Sequence, residues 1–271
     1  MPALKQCYDL RKLFLGSWGT LGVITKAILK LSHLPEDHNT LLLTFSSIRD
    51  ALRVTRDISN SVLRPESMEL IDAKAARLEQ EDHFELQKDE LLLLIKIAGS
   101  REEVRRHLSD IQTLAEANNA RAINILSGDE EDSAWASQRQ VQQYSAPDLV
   151  RGKAVVPIDK IGDMFQEIEK TASRRQLQTA ITGRAGSGIL YPRLFTKEPA
   201  ASNDEVLAAI AELSRSAEKL SGFFLVESGP AQVRQAVDPV QQRSDHGLTQ
   251  RLKQTFDPKN IFNPGKLVRT L

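Results

Sequence analysis

The 271-residue chain balances 36 Lys and Arg against 36 Asp and Glu, and 41% of its residues are hydrophobic. That profile excludes a disordered chain and removes any bulk attraction to nucleic acid or an anionic membrane. A single cysteine, Cys7, excludes an internal disulfide, and with no CxxC and no Cys/His cluster a structural zinc site is not expected.

Gly22–Leu31 (GVITKAILKL) is β-branched and aliphatic and reads as a strand. Thr40–Phe45 is a second. Ser46 or Ser47 then caps a helix in which Ile48, Leu52, Val54 and Ile58 keep helical spacing. Pro65 ends that stretch, Ser67–Ile71 reads as a strand and Ala73–Leu78 as a short helix. Leu91–Ala98 is a buried strand stopped by Gly99. Ser100 followed by Glu103 is a capping box, opening a helix with Val104, Leu108, Ile111, Leu114 and Ala115 on one face. Arg121–Leu126 is a strand. Gly128 and the acidic run Asp129–Asp132 start a helix, read as a solvated start that suits the positive helix end, with Trp135 and Arg139 one turn apart.

The second half repeats the order. Ala154–Ile158 reads as a strand, and Asp159 caps a helix through Arg175. Thr179–Thr182 and Gly188–Phe195 are strands around a glycine-rich turn. Ser202 or Asn203 caps a helix to Leu220, Phe223–Glu227 is a strand, and Leu248–Phe256 is a last helix stopped by Asp257-Pro258. Strand–helix–strand, strand, helix–strand, twice over, is the ferredoxin-like split βαβ order. The fold class expected is therefore α+β: a large antiparallel sheet from two ferredoxin-like units, with helices on one face. Residues 1–32 fit neither unit. No apolar run is long enough to span a bilayer and the N-terminus does not read as a secretory signal, so a soluble, cytoplasmic protein without a transmembrane segment is expected. The histidines His33, His38, His83, His107 and His246 are scattered, without HxH or HExxH spacing, and read as surface residues. No metal site is expected.

Leu15–Thr25 (LGSWGTLGVIT) places three glycines before a β-branched run, a turn suited to close backbone approach. The longer string Tyr8–Thr25 resembles the "GYDL…LF-GS-x-GTLG-I-T" segment of FAD-linked oxidases of the vanillyl-alcohol oxidase type. Phe256–Lys266 (FDPKNIFNPGK) resembles the C-terminal "NPGK" segment of the same family. The resemblance implies FAD as cofactor, with Gly16, Ser17, Gly19, Thr20, Gly22, Val23, Ile24, Asn263 and Lys266 as cofactor-binding candidates. Asn263 and Lys266 serve equally well as anchors of the tail. It also implies a division into residues 1–35 as a remnant of an FAD-binding domain, 36–245 as the cap or substrate domain, and 246–271 as a helix and tail returning to the remnant. The family's FAD domain has most of its mass before the GTLG segment, so this chain is expected to be a C-terminal portion.

Cap domains of the metal-dependent 2-hydroxy-acid dehydrogenases in this family carry a "GHxGDGNxHP" motif, whose histidines bind a divalent metal, and a "GEH" with a catalytic histidine. The matching positions here read GRAGSGILYP from Gly183 to Pro192, and Val226-Glu227-Ser228-Gly229. Arg184 and Tyr191 stand at the two metal-binding positions, and Ser228 at the catalytic one. Arginine offers no free acceptor to a metal, and an isolated serine is a poor base. The pattern resembles most the smaller flavin-binding subunit of bacterial glycolate oxidases. That resemblance implies a larger flavin subunit and an iron–sulfur subunit as partners, a small 2-hydroxy acid as substrate, and an isolated chain without its own activity. Arg184, Tyr191, Ser228 and Arg139 are the substrate-side candidates. Arg184 suits either a carboxylate clamp or a surface position, and Trp135 suits either the flavin edge or the core. The alternative function is a non-catalytic cap-like assembly module that does not hold FAD.

Overall fold

Alternation of side chains across a strand decides which residues share a face, and here it builds one sheet from the two repeats. The computed structural model describes residues 9–78, 84, 86–146, 149–196, 203–237 and 246–265. Cys7, His83, Ser202 and Lys266 lie outside them. The chain divides into two compact units, one formed by residues 1–32 with 235–271 and the other by residues 33–234.

In chain order, α1 spans Leu10–Phe14 and belongs to the first unit. Residues 21–34 follow without regular structure. The strand expected at Gly22–Leu31 does not form, because strand geometry needs a partner ladder and no other strand among the described residues pairs with this stretch. Val23, Ile24, Ile28, Leu29 and Leu31 are all exposed.

The second unit then runs β1 (Asp37–Phe45), α2 (Ile48–Ser59), β2 (Ser67–Asp72), α3 (Ala73–Ala76), β3 (Leu91–Gly99), α4 (Arg101–Ala117), β4 (Ala122–Leu126) and α5 (Gly128–Gln143). It continues with β5 (Val150–Val155), α6 (Ile161–Arg174), β6 (Leu177–Arg184), β7 (Ile189–Thr196), α7 (Asn203–Lys219) and β8 (Phe223–Ser228). A helix α8 (Ala231–Ala236) and the final α9 (His246–Phe256) close the chain.

The sheet order is β4-β1-β3-β2-β6-β7-β5-β8, with every recorded pairing antiparallel. Read from either edge inward, the order is that of a ferredoxin-like unit, so two units abut through β2 and β6. That seam is short: Glu69 faces Arg184, Leu70 faces Gly183 and Ile71 faces Thr182. Helices α2, α4, α6 and α7 form one layer, burying Ala51, Val54 and Ile58 from α2 and Met164, Phe165 and Ile168 from α6 over the sheet. Leu41, Leu43 and Phe45, fully buried, point into this layer's core, whereas Thr40 and Leu42 point to the opposite face. Helices α3 and α5 cover part of that opposite face, packing on Ile71, Leu92, Leu94 and Ala180.

The caps explain where helices begin. Ser47 accepts from the Arg49 amide, and Ser100 and Glu103 form the reciprocal box read from the sequence. Asp159 does not cap α6; it lies in a 3-10 turn, Ile158–Lys160, and the helix starts one residue after that turn's last residue is passed as its cap.

Asp72, at the end of β2, is a buried cap with a second task. Its carboxylate accepts from the Ala75 amide at 2.6 Å and, across the seam, from the Ile181 amide at 3.0 Å. Burial raises its pKa to about 7, while those two amides and Lys74 pull the other way. The native state therefore keeps a proton that the unfolded chain has already released above the ordinary value of 3.8. This stabilising contribution is complete below that value and is lost as pH rises toward about 7. We expect the unfolding free energy to fall by an amount on the order of 3 kcal/mol between about pH 4 and about pH 8, and the Asp72→Asn variant to lack that slope. Parallel urea titrations of the two proteins at those pH values check it; equal slopes would contradict the assignment.

Candidate functional site

Two regions collect the residues singled out from the sequence, one in each unit. In the first unit, α1 ends in a turn shaped by positive-φ residues, Gly16 (+82°) and Gly19 (+66°), where a side chain is disfavoured. A Cβ at Gly19 would also lie 2.9 Å from the Asn263 amide nitrogen. Asn263 Nδ2 donates to the Trp18 carbonyl at 2.7 Å, and Thr20 Oγ1 donates to the Ser17 carbonyl at 2.6 Å. The Gly16 and Gly19 amides find no acceptor among the described residues.

Beneath the turn, Lys253 of α9 is buried and donates to the carbonyls of Thr20 (2.9 Å) and Phe262 (2.7 Å) and to the Asp257 carboxylate. Asp257 also accepts from the amides of Ile261 and Phe262. Burial works against its charge, but the Lys253 ammonium and these amides hold its pKa below the ordinary value. Phe14 and Phe256 meet edge to face, with centroids 5.2 Å apart. A cavity of about 170 Å³ opens here, lined among others by Gly16, Ser17, Thr20, Lys253 and Asn263. It is smaller than the roughly 300–1,000 Å³ of sites that enclose a whole organic ligand. Of the sequence candidates, Gly16, Ser17, Thr20 and Asn263 line it, and Gly19 packs on Asn263. Gly22, Val23 and Ile24 do not line it, and the last two are exposed.

In the second unit, Arg184 ends β6 and Tyr191 lies on β7 opposite Thr182, so the two share the face of the sheet that α5 partly covers. Arg184 Nε is 3.6 Å from Glu69 Oε1. Tyr191 has Lys153 Nζ 5.9 Å from its ring centroid, and burial keeps its phenol pKa raised, hence protonated. Arg151, on β5, pairs with Glu227 at 3.2 Å and lies opposite Ser228. Arg193 is fully buried two residues further along β7, on the same face, donating to Thr182 Oγ1 at 3.3 Å and to the Val141 carbonyl. Burial and the nearby Arg151 lower its pKa to about 10. Arg151 also reaches the Gln142 carbonyl at 3.4 Å, so two arginines close the negative C-terminal end of α5.

The structure thus puts Arg184 and Tyr191 on the adjacent strands β6 and β7, leaves Ser228 on β8 beyond β5, and adds Glu69, Lys153, Arg151 and Glu227, which the sequence reading missed. Their signal is the register of strands distant in sequence. Arg139 does not join them. It is exposed on α5, off the buried stripe of Ala134, Gln138 and Val141, and has no ion pair among the described residues. Trp135 is fixed to the sheet, donating to Thr40 Oγ1 at 2.8 Å. The acidic start of α5 is not uniformly solvated. Glu131 is buried, accepting from Thr40 Oγ1 at 2.8 Å and lying 2.8 Å from His38 Nδ1. Among the described residues no cluster of His, Cys, Asp and Glu is suited to a metal ion, and no helix is long and apolar enough to cross a membrane.

Residues 34–267 match the family model of the C-terminal domain of FAD linked oxidases. The chain belongs to this family. Glycolate oxidase subunit GlcD of Bacillus subtilis is 30% identical to this FAD-linked oxidase domain over 96% of the chain and 57% of the relative. The D-lactate dehydrogenase [cytochrome] 1, mitochondrial, of Saccharomyces cerevisiae is 24% identical over 97% of the chain and 47% of the relative. The chain therefore spans about half the length of the curated relatives it matches. Among solved structures, p-cresol methylhydroxylase superposes with a TM-score of 0.59 at 12% identity, covering 86% of this chain and 53% of that one. Alkyldihydroxyacetonephosphate synthase does so with 0.58 at 17% identity, covering 97% and 50%. These likenesses show a fold shared with both proteins.

Proposed function

We infer that this FAD-linked oxidase domain is a subunit, or the C-terminal portion, of an FAD-dependent oxidoreductase acting on a small 2-hydroxy acid of the glycolate or lactate type, and that it works without a metal at positions 184 and 191. The observation that carries the reading is the charge of the sheet face. Arg184, Arg151 and Lys153 set three cations against Glu69 and Glu227 around Tyr191, while Arg193, fully buried, is taken up by Thr182 and the Val141 carbonyl. A guanidinium fork and a neighbouring ammonium are suited to a carboxylate, and the protonated phenol supplies a further donor. Ser228 lacks the basicity of the histidine that the family motif places there.

FAD, when bound, supplies the two-electron acceptor. The residues of this chain suited to hold part of it are the free Gly16 and Gly19 amides, with Ser17, Thr20 and Asn263 around the cavity. By the kinship with glycolate oxidase subunits, a larger flavin subunit and an iron–sulfur subunit are the proposed partners, in the cytoplasm.

Titration calorimetry with glycolate tests the reading. Glycolate is expected to bind, glycolamide of the same size not to bind, and Arg184→Ala or Lys153→Ala to weaken glycolate by roughly tenfold to a hundredfold each. Zinc or manganese is expected to leave the melting temperature unchanged; stabilisation by either would overturn the placement of Arg184 and Tyr191 at the metal positions. A second reading, a cap-like assembly module that holds no FAD, is favoured by Glu69 already occupying Arg184. Colourless purified protein that takes up no added FAD would select it.

A further inference from the structure

Among the described residues Glu69 is the one acidic group placed directly against Arg184, and its environment is unbalanced. Its strand neighbours are Leu94 on β3, which brings no charge, and Arg184 on β6. Oε1 accepts from Ser67 Oγ at 3.2 Å and sits 3.6 Å from the Arg184 guanidinium. Oε2 is buried and has no hydrogen-bond partner among the described residues. The carboxyl side chain is 9% exposed, while that of Arg184 is 51% exposed. A buried carboxylate with an orphaned oxygen is thus neutralised by a single half-solvated cation. Burial pushes its pKa up, and Arg184 and Ser67 offset only part of that push. Tyr191 on β7 is the next titratable group on the face and stays neutral; Arg151 and Glu227, which also act on Tyr191, are paired with each other.

A ligand carboxylate that takes the Arg184 fork changes both sides of this balance. It withdraws the compensating charge from Glu69 and sets a second anion beside it, and two adjacent carboxylates favour protonation of one of them. Protonation also removes the charge from a carboxyl whose buried Oε2 has no hydrogen-bond partner among the described residues.

We propose that a small carboxylate binds at Arg184 together with one proton, which Glu69 takes up. This rests on the carboxylate reading of the face given above. Arg184 is then a shared partner: Glu69 holds it in the free protein and releases it by becoming neutral. Binding is therefore linked to pH. Once the pH exceeds the pKa of Glu69 in the free protein, the dissociation constant rises about tenfold per pH unit.

The test is calorimetry of glycolate with the whole chain in two buffers of unequal ionisation heat, repeated across pH, for the wild type and Glu69→Gln. The expected result is uptake of about one proton per glycolate by the wild type and none by Glu69→Gln, whose affinity stays flat with pH. Glycolate binding with the same heat in both buffers would overturn the Glu69 proposal and leave the carboxylate site standing. No binding to either protein would overturn the site itself, and the proposal with it. Should Glu69→Gln fail to fold, as read by circular dichroism, the wild-type proton count alone decides.

Discussion

Lys253→Met is expected to loosen the first unit while leaving the second intact. The ammonium is buried and holds the glycine turn through the Thr20 carbonyl, the tail through the Phe262 carbonyl, and the Asp257 carboxylate at the end of α9. Methionine keeps the stem volume but returns none of these bonds, and it leaves a buried carboxylate without its counter-charge, one of the few single changes that regularly costs a fold dearly. Amide hydrogen exchange reads the two units separately. Protection in residues 9–20 and 246–265 is expected to fall by roughly a hundredfold, and the strands β1 to β8 to keep theirs. Unchanged protection near Gly16 and Asn263 would show that the cavity is held by the Phe14–Phe256 contact instead. The same variant is expected to lose any capacity of the chain to take up FAD.

Arg193 carries the second large effect. It is fully buried, without an acidic partner in hydrogen-bond reach among the described residues, and its guanidinium joins the end of α5 to the sheet through the Val141 carbonyl and the Thr182 hydroxyl. Arg193→Ala removes both bonds and opens a void, and is expected to cost about 3 kcal/mol, a fall in melting temperature of roughly 6–12 °C for a domain of this size. Arg193→Met fills the void and removes the desolvation of a buried cation, a desolvation visible in its pKa of about 10. It is therefore expected to recover most of the loss. Equal losses in the two variants would show that the hydrogen bonds, not the volume, hold α5 in place.

The repeated βαββαβ order was legible because most strands contain a short apolar run and the helices declare their starts: Ser47, and the Ser100–Glu103 box, cap where their chemistry says they should. The strand expected at Ala154–Ile158 instead runs Val150–Val155 (VRGKAV), whose polar alternate residues hid its start, and Ile158 falls in a 3-10 turn. Both are local signals. The failures share a cause in long-range pairing. Val23 to Leu31 has the composition of a strand, but composition does not disclose whether a second strand is present to bond it. Glu131 reads as one carboxylate among four, and its burial follows from His38 and Thr40, 93 and 91 positions away. The site divides the same way. Arg184, Tyr191 and Ser228 were found because they replace motif residues, whereas Glu69 and Lys153 emerge only when β2 meets β6 and β5 meets β7. Arg139 had a plausible spacing from Trp135, but it lies one residue past the buried Gln138, and a one-residue step along a helix turns a side chain by about 100°, enough to take it to the solvent.

The narrow junction between β2 and β6 also bears on descent. If the second unit arose by copying one ancestral half, then Glu69 comes from one copy and Arg184, Tyr191 and Lys153 from the other. Neither copy alone owns both Glu69 and Arg184. The pairing became available only once the halves were fused edge to edge, and each was afterwards free to diverge around a shared axis without disturbing the interior of its twin.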